Sequence, residues 1–220
     1  MVQGFKYKAS AQGVSGAITR PFQQVIPTQV SVALPERGGY STDRAGAFNF
    51  QSILSFASAE AVVSGSIGRD ETSFDTIATV TIEGLNVLGM VTADRIVARI
   101  ASSHRNREQS SFLALGSYFE NLRIGGHPVN IVLDFGAFQA PVQGEMQGVS
   151  LVHKVEQLPK GCDCPGPHVI RVPEFGTIRL AQFRATVDER ELTMVEIEMG
   201  STPTGNVKVG GPVAGNGSDP

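Results

Sequence analysis

The sequence predicts an all-β protein, an antiparallel β-sandwich or barrel-like sandwich with long loops. The 220 residues include 37 Val and Ile and 13 Thr against only 12 Leu, and β-branched residues favour strands over helices. The 25 Gly and 12 Pro separate short apolar segments in the way that turns do. Strand-like segments recur roughly every 8–12 residues without comparable helical patterns between them, which is typical of sandwiches and barrels.

Composition excludes several functional classes. A chain that is 41% hydrophobic and 18% charged is neither disordered nor embedded in a membrane. The net charge of −3 contains no block of like sign, so we expect no nucleic-acid partner. Residues 1–7 lack the basic start, apolar stretch and cleavage site of a secretion signal, so as encoded the chain is not expected to be exported.

The first elements follow from alternation of apolar and polar residues. A strand is predicted over residues 29–34, where Val30, Val32 and Leu34 share one face. Residues 48–67 are rich in Ala and Ser; their start is compatible with a helix, and their second half alternates like a strand.

The middle of the chain continues the pattern. Residues 77–82 predict a strand, and residues 94–101 alternate slightly better than they fit a helix, which stays an open alternative. Residues 102–111 are polar without periodicity and predict an exposed loop. The glutamate-to-glycine pattern of residues 83–89 returns at residues 120–126, which suggests a repeat.

The second half predicts more strands around one long interruption. Residues 158–167 contain three prolines and predict a loop of about ten residues. Strands are predicted in the segments 119–133, 139–155, 168–172, 177–180, 183–187 and 192–199.

The expected organisation is a single β-sandwich domain over residues 1–199 and a Gly/Pro-rich tail over residues 200–220. The tail has too few apolar residues to be expected in the core. Its anchors are Val207, Val209 and Val213, which could add a strand to a sheet edge of the same subunit or a neighbouring one.

Candidate metal ligands lie in the second half. Thiolates and imidazoles are preferred zinc ligands, so Cys162, Cys164 and His168, with His153 upstream, form the candidate set. One residue between the cysteines is too few for a common structural zinc site, and so short a loop is hard to close with a disulfide. The expected alternatives are an unligated surface loop or a redox-labile pair.

No catalytic set emerges from the remaining residues. A hydrolase nucleophile would need a Gly-x-Ser-x-Gly turn between a strand and a helix, and the sequence has none. The four histidines are scattered along the chain. We therefore expect a protein without enzymatic activity, catalytic residues or a cofactor.

Several motifs resemble those of the choice-of-anchor P family, a bacterial surface-protein domain. The matching segments, which span most of the chain, are Tyr7–Gly13, Ile82–Gly89 with Val91–Asp94, Phe119–Gly126, Val172–Ile178 and Leu192–Met194. The resemblance implies an exported, all-β protein at the cell surface or outside the cell, without an assigned activity. We find no export signal or terminal anchoring segment of the kind that this family implies in this sequence, so a surface location is an expectation from the resemblance alone.

The favoured functional hypothesis is a non-enzymatic structural or self-assembling β protein that forms a homo-oligomer or larger assembly. The alternative is a carbohydrate-binding module, although the absence of Trp and the presence of only three Tyr leave few rings for stacking on sugars. An enzyme of unrecognised type is the third hypothesis.

Overall fold

The computed structural model describes residues 5–20, 23–68, 72–105, 110–200 and 204–218. These residues form twenty β-strands and one helix, α1 (Gly136–Gln139). The strands of the first half are β1 (Lys6–Ile18), β2 (Gln24–Ala33), β3 (Gly39–Ala45), β4 (Phe48–Phe50), β5 (Leu54–Phe56), β6 (Ser58–Ile67), β7 (Ser73–Val87), β8 (Val91–Arg105), β9 (Ser111–Leu113) and β10 (Tyr118–Glu120). The remaining strands are β11 (Arg123–Ile124), β12 (His127–Pro128), β13 (Asn130–Leu133), β14 (Glu145–Ser150), β15 (Val152–Glu156), β16 (Asp163–Gly166), β17 (Val169–Val172), β18 (Gly176–Thr186), β19 (Glu189–Met199) and β20 (Gly205–Ser218).

Two large antiparallel sheets pack together, which confirms the predicted fold class. Sheet A has the order β16-β17-β18-β19-β20-β1-β2, with β14 also on β18. Sheet B is built around the β7–β8 hairpin: β6 and β5 pair with β7, and β3 and β4 extend them, while β9, β10 and β11 pair with β8 and β12 extends β11. Strands β13 and β15 form a small separate sheet. The buried side chains of both sheets belong to one hydrophobic cluster.

The start of residues 48–67 is strand, which removes the helical alternative there. Phe48 lies opposite Phe56 across the β4–β5 pair, with the two ring centroids 5.3 Å apart. Residues 94–101 are also strand, as part of β8. Among the described residues no helix has the length and hydropathy to span a membrane.

The loop expected at residues 102–111 is shorter than predicted. Strand β8 continues to Arg105, and β9 begins at Ser111; residues 106–109 lie outside the described residues. Ser102 is buried, and its hydroxyl lies 2.5 Å from that of Thr76 on β7. The prediction of an exposed loop is therefore wrong for this part, because cross-strand hydroxyl pairing satisfies polar side chains inside the sheet.

The segment expected to be a tail lies inside sheet A. Strand β20 pairs with β1 on one side and with β19 on the other. Val207 and Val209 are fully buried, whereas Val213 is partly exposed. This placement corrects the expectation that the segment stays outside the core. A Gly-rich strand is stabilised here by two flanking strands, which supply backbone hydrogen bonds that its composition does not reveal.

A crease crosses sheet A where the alternation of inward and outward side chains shifts by one residue. Four adjacent strands each bury two consecutive residues along this line, namely Leu180 and Ala181, Met194 and Val195, Val209 and Gly210, and Gly13 and Val14. The backbone accommodates the shift with positive φ angles of 70° at Gly210 and 46° at Ala181. A Cβ atom at Gly210 would lie 3.2 Å from the Cβ of Ala98 on β8, so the crease brings sheet A close to sheet B.

Candidate functional site

The valines expected to anchor an assembly are not free to pair with a neighbouring subunit. Val207 lies opposite Gly16 on β1 and Ile197 on β19, and Val209 occupies the same row as Val14. Because both flanks of β20 are already paired, the strand has no open side to offer to another chain.

The candidate metal ligands lie at the edge of sheet A that β16 forms. Four of the ten residues of the expected loop at 158–167 are edge strand, because β16 pairs with β17. Cys162 is half-buried against the core, and Cys164 is exposed; both thiols are free. Burial raises the pKa of Cys162, and likewise that of Cys164, whose Sγ lies 2.9 Å from the backbone oxygen of Gly166.

His168 is half-buried, and burial lowers its pKa, with a further contribution from nearby Arg179. Within the part of the chain that the structure describes, no three His, Cys, Asp or Glu side chains come together as a metal site would require. The structure therefore does not bring Cys162, Cys164 and His168 together in an arrangement that could hold a metal ion.

Most edge strands of the two sheets are poorly suited to adding a further strand; β14, with six residues and no proline, is an exception. Strands β4, β9 and β10 have three residues each, and β2, β12 and β16 contain Pro27, Pro128 and Pro165. The longer edge strand β3 is engaged by β2, because the backbone N–H of Ser31 donates to the carboxylate of Asp43 at 2.8 Å. Short edges and prolines are common protections against edge-to-edge pairing. An interaction surface is therefore better sought on a sheet face.

The outer face of sheet B carries a row of residues that crosses five strands. In register from β3 to β9, the row consists of Tyr40, Ser64, Ile77, Ala101 and Leu113. Its two ends are exposed, Tyr40 to 61% and Leu113 to 39%. A large apolar side chain at each end of a row on a solvent-facing sheet surface is unusual, because such positions are generally polar.

The neighbouring rows extend this apolar surface. The next row contains Thr42, Val62, Thr79 and Arg99, and the third contains Arg44, Glu60, Thr81, Val97 and Tyr118. Together, the apolar members of these rows and Leu115 form what we call the apolar band, consisting of Tyr40, Val62, Ile77, Val97, Ala101, Leu113, Leu115 and Tyr118. Four of them, Tyr40, Leu113, Leu115 and Tyr118, are exposed; Val97 is buried, and the others are partly exposed.

Leu115 projects from a bulge between β9 and β10. Leu113 pairs with Ala101 and Tyr118 with Val97, so the segment 113–118 has one residue more than the segment 97–101 of β8 that it faces. The Ser117 hydroxyl anchors this bulge on β8, since it accepts from the backbone N–H of Arg99 at 2.9 Å and donates to its carbonyl at 3.1 Å. Leu115 is left 56% exposed.

Cross-strand ion pairs border the apolar band on one side. Arg95 on β8 lies opposite both Glu83 on β7 and Glu120 on β10, with nitrogen–oxygen distances of 2.7 Å and 3.9 Å. The two copies of the sequence repeat therefore lie on either side of β8. Hydrogen bonds from Ser58 and Arg95 lower the pKa of Glu83, and the bond to Glu83 raises the pKa of Arg95 further above its ordinary value. Arg44 and Glu60 form a third pair at 2.6 Å.

The outer face of sheet A is more polar, although it also carries Val25 on β2, which is 71% exposed, and the partly exposed Val213. Arg179 pairs with Glu198 at 3.0 Å, and Lys208 with Glu196 at 3.4 Å. The sequence analysis missed the contrast between the two faces. The sequence held one indication of this contrast, because the alternation in β7 and β8 places the apolar Ile77 and Val97 at outward positions. Only the strand register shows that the two residues belong to one surface.

Comparison with known proteins gives one match. Residues 5–149 match the family model described as "Domain of unknown function (DUF8256)". No curated protein and no solved structure matches the chain. The matched residues include the whole apolar band, whereas β20 and the two cysteines lie outside them.

Proposed function

We propose that this chain, which belongs to the DUF8256 family of domains of unknown function, is a non-enzymatic structural protein that self-associates through the apolar band of sheet B. The observation behind the proposal is the cluster of exposed apolar side chains at the ends of these rows, Tyr40, Leu113, Leu115 and Tyr118, on a sheet face whose ion pairs lie to one side. Exposed apolar surface rimmed by polar residues is typical of interaction sites. The bacterial surface location implied by the resemblance to the choice-of-anchor P family agrees with this role and stays a prediction.

A second copy of the chain is the occupant that the band fits best. The members of the band are neutral, and the three rows that hold them contain the ion pair of Arg44 and Glu60 and one further cation, Arg99, for which no ion pair is found among the described residues. A strongly charged partner would find little to pair with at its centre. A copy laid face to face would cover apolar rows with apolar rows and leave the pairs around Arg95 at the rim, where solvent screens them.

The size of the band indicates a weak contact. The band crosses five strands, so it extends about 19 Å across the sheet, and its three rows extend about 14 Å along the strands. Stable complexes bury about 800 Å² on each partner, so one band alone supports reversible association. Assembly would therefore depend strongly on protein concentration.

Light scattering over a wide range of concentrations tests the proposal. We expect the solution mass of the wild-type chain to rise with concentration, and Leu115→Lys to suppress this rise because the contact would bury an unpaired charge. Leu88→Lys is the matched control: Leu88 is 49% exposed, also in a turn, but at the tip of the β7–β8 hairpin and outside the band.

Two results would contradict the proposal. One is a wild-type chain that stays monomeric at every concentration. The other is a mass that Leu88→Lys and Leu115→Lys lower equally, since a general effect of added charge would then explain the loss. Thermal unfolding of each variant verifies that the fold is intact.

A further inference from the structure

The crease in sheet A leaves a groove on the outer face of that sheet, away from the apolar band. The groove has a volume of about 90 Å³ and crosses the strands β1, β20 and β19. Its polar lining consists of Ser10, Gln12, Ser15, Glu191, Thr193 and Lys208.

Glycines explain why the groove lies at this position. A Cβ at Gly13 would lie 2.4 Å from a methyl group of Val30, and one at Gly210 would lie 3.2 Å from Ala98. In both cases the added Cβ would point into the protein. The absence of a side chain at these two glycines therefore allows sheet A to approach sheet B more closely. Gly211 is different, because its Cβ would meet only ordinary contacts beside Gln12, on the outer face.

The side chains of the groove have unused hydrogen-bonding capacity. Among the described residues, the hydroxyls of Ser10, Ser15 and Thr193 have no hydrogen-bond partner, and the carboxylate of Glu191 has no ion pair. Gln12 donates from Nε2 to Thr28 at 3.0 Å, which leaves its carbonyl oxygen available. Hydroxyl groups both donate and accept, so the lining suits a ligand whose groups do the same.

The charge of the groove disfavours an anionic ligand. Glu191 and Lys208 both line the groove, and because Lys208 is already 3.4 Å from Glu196, it does not neutralise Glu191. A phosphate or carboxylate ligand would meet Glu191 without a matching excess of cations. An extended peptide would gain no backbone pairing here, because a sheet face presents side chains rather than free edge groups.

We propose that this groove is a binding site for a neutral carbohydrate, held through its hydroxyl groups. This goes beyond the proposed self-association, which uses the other sheet. The lining has no aromatic ring on which a sugar could stack, so binding rests on hydrogen bonds that compete with water, and we expect weak affinity.

A glycine substitution provides the sharpest test. Gly211→Leu fills the groove from a position with room for a side chain, while Gly46→Leu makes the same change at an exposed glycine with open space around it. The probes are cellohexaose and maltohexaose as neutral oligosaccharides and a heparin hexasaccharide as an acidic one. Binding is followed by chemical-shift changes in amide NMR spectra.

We expect at least one neutral probe to shift amides near Gln12, Thr193 and Gly211. The shifts should require at least tenfold more ligand in Gly211→Leu and be unchanged in Gly46→Leu. Thr193→Val removes one hydroxyl without filling the groove and should also weaken binding, which keeps the test decisive if Gly211→Leu does not fold.

The proposal is overturned if neither neutral probe shifts these amides. It is equally overturned if Gly211→Leu and Thr193→Val both bind as the wild type does, or if the heparin probe binds the groove and the neutral probes do not. The last result would assign the groove to an anionic ligand instead.

Discussion

At the scale of single residues, Arg190 has the most unusual environment. Among the described residues it is the only buried side chain with a formal charge, at 3% exposure. Its guanidinium donates to the carbonyls of Ala140 at 3.2 Å and Phe138 at 3.4 Å, and also to that of Thr186. It lies 4.6 Å from the ring centroid of Phe112, and burial lowers its pKa. Arg190 thus ties the α1 segment and the β18–β19 turn to the core.

Removing this side chain should be costly. We expect Arg190→Ala to lower the free energy of unfolding by about 3 kcal/mol, because one buried and two partly buried carbonyls lose their donor and a cavity remains. Arg184→Ala, on the adjacent strand, removes an exposed pair with Glu145 and should cost less than about 1 kcal/mol. Urea denaturation measures both, and equal losses would show that Arg190 does not hold these segments.

At the scale of elements, β20 and the crease decide the form of sheet A. The strand joins β1 to β19, so its inward side chains belong to the core although its composition resembles a linker. Its outward side chains face solvent or the groove. The same segment therefore contains residues with very different contributions to stability.

Two valines of β20 allow a matched comparison. Val209 is fully buried, so Val209→Ala should lower the free energy of unfolding by about 2 kcal/mol through lost burial and a residual cavity. Val213 is partly exposed, and Val213→Ala should cost less than about 1 kcal/mol. If thermal or chemical denaturation shows no loss for Val209→Ala, the strand does not occupy this place in solution.

At the scale of the whole molecule, the two sheets share one core. Strands β1 and β20 of sheet A pack on β7 and β8 of sheet B, and a single hydrophobic cluster includes residues of both sheets. Neither sheet can expose its inner face without breaking this cluster. The two sheets should therefore unfold together.

Far-ultraviolet circular dichroism and tyrosine fluorescence test this cooperativity. Tyr7 is buried in the core, whereas Tyr40 and Tyr118 are exposed on sheet B, so fluorescence reports on both environments. We expect a β-dominated spectrum and coincident unfolding curves, as a two-state transition requires. Two separated transitions would show that the sheets are independent units.

The sequence by itself determined the fold class and many of the strands. Alternation is a local property, so the sequence assigns Ala57, Ala59, Ala61 and Val63 to one face; the last three are buried, whereas Ala57, which precedes β6, is exposed. The sequence also located residues 168–172 and 177–180, which contain β17 and four of the eleven residues of β18. These predictions succeed because a strand buries every second side chain whatever its partners are.

Only the tertiary structure decided where β20 lies, where sheet A creases and which residues form the two candidate sites. The apolar band joins Tyr40 to Leu113 through three intervening strands, and the groove joins Gln12 to Thr193 through Gly211. Neither grouping is visible in the chain, since strand order and register arise from pairing between distant segments. The tail prediction failed for the same reason: composition measures how much apolar area a segment offers, whereas its burial depends on the strands that flank it.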